Sequence, residues 1–240
     1  MNQQGTAGSA DSSIPGSYNG ILGVGLFAAD CGSICTTAAN NAIYFACTGN
    51  SCSESTASIA NQVTNPVSMM PVGYNNGVAL QLNNVSDSGA MSSSGFMVLG
   101  IGGATNNTPP AGVNLYKADG YGNFQTTYGS TNYTSAFIDS GSNGLFFPNG
   151  CLAVDPSGFF VPSSEVGFTA TQAAYTGANA TTISFNSANQ SHGANMVYNN
   201  LTGNAPGMFD WGLPFFLGRT VYVGIQSKAS TLGTGPYWAY

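Results

Sequence analysis

The chain has 240 residues, of which 12% are aromatic and only 5% charged, where ordinary globular chains carry about 25% charge. Three Lys and Arg against nine Asp and Glu cannot build a basic patch, which excludes nucleic acid as a partner. The clustered aromatics exclude a disordered chain, and the longest apolar candidate, Gly20 to Ala29, is too short and glycine-broken for a membrane span of roughly 18 residues.

Residues 1–17 are Gly-, Ser- and Ala-rich without periodicity and read as a flexible or truncated N-terminal edge. Met1-Asn2-Gln3-Gln4 lacks the basic and apolar regions of a signal peptide. Tyr18 to Gly25 is a short apolar strand bracketed by glycines. Cys31, Cys35, Cys47 and Cys52 then cluster in a loop-like stretch, with Ala42 to Ala46 as a short strand inside it. The clustering permits two local disulfides, the mark of an extracytoplasmic protein. The alternative, zinc, prefers tighter Cys-x-x-Cys hooks, and the single His192 sits far away in a polar turn; no metal or cofactor is expected. Cys151 is left over.

Residues 53–77 are polar and irregular. Val78 to Leu82 and Gly95 to Gly103 read as strands, Val113 to Tyr116 resumes the β pattern, and Asp119-Gly120 marks a hairpin. Thr181 to Asn186 alternates as a strand should. The Asn-x-Ser/Thr sites at Asn132 and Asn200 place those positions on exposed loops. The fold class that follows is all-β, with few short helices.

One stretch organises the rest. Ser135-Ala136-Phe137-Ile138-Asp139-Ser140-Gly141-Ser142-Asn143-Gly144-Leu145-Phe146-Phe147 is a buried-strand pattern that ends abruptly on an acid and small turn residues. An acid set among apolar residues must be hydrogen-bonded, neutralised or functional. Ser140 and Ser142 offer hydroxyls, and Gly141 and Gly144 let backbone N–H groups come close. Asp87-Ser88-Gly89 repeats the tripeptide without the apolar flank and reads as a surface turn.

The Asp139-Ser140-Gly141-Ser142 segment resembles the active-site loop of pepsin-like aspartic peptidases. Two further segments fall in that family's order. Tyr18-Asn19-Gly20-Ile21-Leu22-Gly23 is similar to a strand late in its first lobe. Trp211-Gly212, followed by Leu213 to Leu217 and Thr220 to Ile225, is similar to the hydrophobic-hydrophobic-Gly element, one-turn helix and strand that cross beneath its catalytic loop. Phe216-Leu217-Gly218 offers a second register; Asp210 counts against the first and the lack of a helix before Gly218 against the second, and Gly212 is preferred. From Gly20 to Ile225 the pattern resembles the end of the first lobe and the whole second lobe of an uncharacterised bacterial family of pepsin-like proteins.

The resemblance implies a lobe of orthogonally packed sheets over residues 78–240, with residues 18–77 as the end of a first lobe and the passage between lobes. It implies Asp139 as a catalytic acid, with Ser140, Gly141, Ser142, Trp211 and Gly212 supporting it. Such peptidases activate water between two acids sharing one proton, because like charges about 3 Å apart cannot both ionise. Only one such loop is present, so the expectation is one half of an active site for an extended peptide substrate, completed by a missing first lobe or by a homodimer and inactive alone. The alternative is a non-enzymatic secreted β-rich surface or binding protein.

Overall fold

The structure is a computed structural model that describes residues 24–190 and 194–240. Among these residues the chain forms helix α1 (Ile34–Thr37), then strands β1 (Phe45–Thr48), β2 (Ser51–Glu54), β3 (Gly77–Leu82), β4 (Gly95–Leu99), β5 (Leu115–Lys117), β6 (Phe124–Tyr128) and β7 (Thr131–Ile138). Next come β8 (Leu145–Phe147), β9 (Val166–Ala173), β10 (Thr181–Ser187), β11 (Thr202–Asn204) and β12 (Phe209–Trp211). Helix α2 (Leu213–Phe216) and strands β13 (Thr220–Gly224), β14 (Ala229–Ser230), β15 (Gly233–Thr234) and β16 (Tyr237–Ala239) follow. The protein is all-β with few short helices. None of the described helices is long and apolar enough to cross a membrane. The expected strand at Tyr18 to Gly25 lies mostly outside the described residues, as does His192.

Two sheets carry the fold. The five-stranded sheet, in the order β4-β3-β13-β16-β5, is antiparallel throughout, and its central β13 is buried from Val221 to Gly224. The seven-stranded sheet runs β10-β9-β6-β7-β12-β8-β11. It is antiparallel except at two places: β12 lies parallel to β7, and β11 lies parallel to β8. One apolar cluster draws on both sheets, with Val78, Val221 and Val223 from the first and Phe124, Ile138, Phe147, Phe209 and Trp211 from the second. Leu26 and Val67 join the same cluster, so part of the segment before β3 packs on this core. At its centre Phe147 meets Phe160, Phe168, Phe185 and Phe209 at ring-centroid distances of 5.1–5.7 Å. Such pairs contribute about 0.5–1.5 kcal/mol each beyond their buried area.

Several local expectations change. The strand expected at Ala42 to Ala46 starts only at Phe45. Ala42 has φ of 55°, and the Asn41 side chain accepts from the N–H groups of Ile43 and Tyr44, tying those residues into a turn. Asp119-Gly120 is a turn, with Asp119 accepting from the N–H groups of Tyr121 and Asn123, but it is no hairpin. The strands it joins, β5 and β6, belong to different sheets, so this turn passes the chain from one sheet to the other. Residues 53–77 include two short 3-10 turns, Ile59–Asn61 and Pro66–Met69. Asn132 is exposed as expected, though on strand β7 and not on a loop, whereas Asn200 is 2% exposed. Its amide is consumed by Glu165 Oε2 at 2.7 Å and the Asp87 carbonyl at 3.1 Å.

The four clustered cysteines form two local disulfides, Cys31–Cys35 beside α1 and Cys47–Cys52 across the β1–β2 hairpin. Their sulfurs are therefore spent on cross-links that persist in an oxidising compartment. Cys151 is free and exposed.

Candidate functional site at the Asp139 loop

The site begins with a topological constraint. β7 and β8 are joined by the short loop 139–144, yet they are not neighbours, because β12 lies between them. The loop must therefore bridge two inter-strand gaps, about 10 Å in all. β12 pairs parallel with β7, Phe209 opposite Ala136 and Trp211 opposite Ile138, and antiparallel with β8, Asp210 opposite Phe146. The chain thus threads a late strand beneath an early loop.

Three backbone contacts hold loop and strand together. Asp139 N–H donates to the Trp211 carbonyl at 3.1 Å, and Leu213 N–H donates to the Ser142 carbonyl at 2.7 Å. Between them sits Gly212, where a Cβ atom would lie 1.9 Å from the Gly144 carbonyl oxygen and 2.8 Å from that of Ser142. Only glycine fits there, since both obstacles are backbone. Phe209 and Trp211, each fully buried and stacked at 4.7 Å, anchor the threaded strand in the aromatic core. The Trp211 indole N–H donates to Thr126 Oγ1 at 3.0 Å, satisfying the one polar atom of its side chain.

Asp139 stands at the C-terminal end of β7, half-buried. Its Oδ1 accepts from the Gly141 N–H at 2.8 Å and its Oδ2 from the Ser142 hydroxyl at 3.0 Å. Gly141 is needed at close quarters: a Cβ there would lie 3.0 Å from Asp139 Oδ1. Ser140 is exposed and its side chain makes no hydrogen bond to the described residues. Of the sequence-derived set, Gly141 and Ser142 hold the carboxylate directly. Trp211 and Gly212 support the loop from beneath through backbone contacts. Asp87-Ser88-Gly89 is an exposed turn, with Asp87 accepting from the Asn199 amide at 2.9 Å.

The residue that sequence reasoning undervalued is Asp210. Strand alternation sends it to the face opposite Phe209 and Trp211, where it is 6% exposed. Its carboxyl is pushed up from 3.8 to about 6, chiefly by burial; a hydrogen bond with Ser142 works against the rise, and the nearby Asp139 charge adds to it. Its Oδ1 is buried with no hydrogen-bond partner. Ser142 therefore stands between two acids with one hydroxyl proton. Given to Asp210, that proton favours the ionised carboxylate; given to Asp139, it leaves Ser142 an oxygen that can only accept from a protonated Asp210. The lone signal in the sequence was an acid between two large aromatics, which reads as a defect in a buried strand until the loop above it is known.

The family model for a protein of unknown function, DUF3443, matches residues 2–240, and the chain belongs to that family. No curated protein matches the chain.

Proposed function

We propose that this chain contributes one half of a two-carboxylate active site for peptide-bond hydrolysis, on a β lobe of the pepsin-like aspartic peptidase kind. One observation carries the reading: β12 threads between β7 and β8 and presses Gly212 against the Asp-Ser-Gly-Ser loop, which cradles a half-buried carboxylate. That construction fixes an acid at a strand end with its two oxygens in different settings, one held by a backbone N–H and one by a hydroxyl. Such pre-set geometry is what a general base or acid needs. Asp139 is the catalytic acid, Gly141 and Ser142 orient it, and Ser140, Trp211 and Gly212 belong to the supporting loop and its floor.

Asp210 is not the second member of the dyad. It is buried, with 6% of its surface exposed, whereas Asp139 is half-buried at the strand end. The partner acid comes from a facing lobe or a second copy, and the substrate is an extended peptide lying across the joint. The two disulfides support an extracytoplasmic setting for this chemistry.

The test is acid-pH cleavage of denatured globin by the full gene product, with and without a statine inhibitor, for the parent and for Asp139→Ala. Statine-sensitive cleavage that disappears in Asp139→Ala is the expected result. Equal residual cleavage in both removes Asp139 from the mechanism, and absence of cleavage in both favours a secreted β-rich binding protein.

A further inference from the structure

Away from Asp139, a cavity of about 350 Å³ opens beside Arg219. We infer that this cavity binds a carboxylate that carries an apolar side chain, as the C-terminal residue of a peptide does. The inference does not depend on the role of Asp139.

The whole chain carries three Lys and Arg residues, and Arg219 is the only arginine. Its guanidinium lies 4.1 Å from the ring centre of Phe215 and 5.8 Å from that of Tyr240, against aromatic faces that shield it from water. Burial lowers its pKa, yet no described acid pairs with it, and none of its five side-chain donors makes a hydrogen bond to the described residues. A desolvated fork of this kind matches a carboxylate bidentately. Backbone contact fixes its base, since Arg219 N–H donates to the Phe216 carbonyl at 3.2 Å.

Asn199 Nδ2 donates to the Val85 carbonyl at 3.1 Å and to Asp87 Oδ1 at 2.9 Å, which fixes the amide's orientation and leaves Asn199 Oδ1 buried without a partner. That oxygen is fully enclosed and out of a ligand's reach, so what the cavity offers is the set of donors at Arg219. A ligand that answers Arg219 carries a carboxylate, as the last residue of a peptide does. Asp87, the one acid in the lining, is already engaged by Asn199. Ile183, Phe185 and Leu217 supply apolar wall for a side chain, and the volume lies within the usual range of ligand pockets, about 300–1,000 Å³.

The experiment titrates the full chain with N-acetyl-leucine, N-acetyl-leucinamide and N-acetyl-glutamate α-amide, followed by amide chemical shifts and Trp fluorescence, since Trp211 lines the cavity. Saturable binding of N-acetyl-leucine is expected, at least about tenfold weaker for the leucinamide. The glutamate derivative separates the sources: binding equal to N-acetyl-leucine assigns the site to any carboxylate, weaker binding assigns it to the chain terminus. Arg219→Met, which keeps the stem, should abolish binding without lowering the melting temperature, and Arg219→Lys should weaken it about tenfold. Equal binding of acid and amide, undiminished binding by folded Arg219→Met, or no saturable binding overturns the inference.

Discussion

Replacing Asp210 with Asn tests the buried acid most directly. The folded chain holds the Asp210 proton up to about pH 6, whereas an unfolded chain releases it near 3.8. Between those values the native state binds more protons than the unfolded state, so stability falls as pH rises through this window and levels off above it. At about 1.4 kcal/mol per pH unit, the native chain loses about 3 kcal/mol across the window. The amide introduced by Asp210→Asn does not titrate, and it can still donate to Ser142 as the protonated acid does. The variant should therefore gain on the parent by about 3 kcal/mol between pH 4 and pH 7, seen as a relative rise in melting temperature of roughly 6–12 °C for a chain of this length. Thermal and urea unfolding of both proteins across that range measure it. A stability difference that does not change with pH, or one that shrinks as pH rises, refutes the argument.

Three structural predictions follow from the same contacts. Gly212→Ala drives a Cβ into two backbone carbonyls, so it should cost about 3 kcal/mol or more and shift the amide resonances of residues 139–144; an unchanged melting temperature would deny the close approach. Trp211→Phe removes a donor from Thr126 Oγ1 in a site with no solvent and leaves a cavity, for an expected loss of about 2–4 kcal/mol in urea unfolding. Asn76→Leu should cost about 3 kcal/mol, because the buried amide donates to the Ile101 and Ala229 carbonyls and accepts from the Ile101 N–H, and hydrogen exchange at Ile101 should accelerate with it.

Much of the strand content was legible because it is carried by local pattern. Val78 to Leu82 and Thr181 to Asn186 alternate, whereas the strand at Thr220 to Ile225 came from the family resemblance. Sheet membership was not legible. β5 and β6 flank a good turn at Asp119, and nothing local says that the chain changes sheets there. β9 was missed for a different reason: its sequence, Val166-Gly-Phe-Thr-Ala-Thr-Gln-Ala173, has small or polar residues at its buried end. There Ala170 and Gln172 are fully enclosed by the neighbouring strands and core. The buried Asn76 and Asn200 share that origin, since each is enclosed by partners distant in sequence.

The candidate site divides along the same line. Asp139, Gly141 and Ser142 were readable because all the partners of the carboxylate lie within three residues of it. Asp210 was not, because what makes a buried acid tolerable beside Trp211 is a hydroxyl on a loop it meets only after folding. Once they meet, Ser142 couples the two acids. While Asp210 keeps its proton, the Ser142 hydroxyl is free to donate to Asp139 and the loop has a full set of hydrogen bonds. When Asp210 ionises above about pH 6, two carboxylates compete for one hydroxyl proton, and the loop loses a bond just as it gains a repulsion. The arrangement is therefore best ordered in acid.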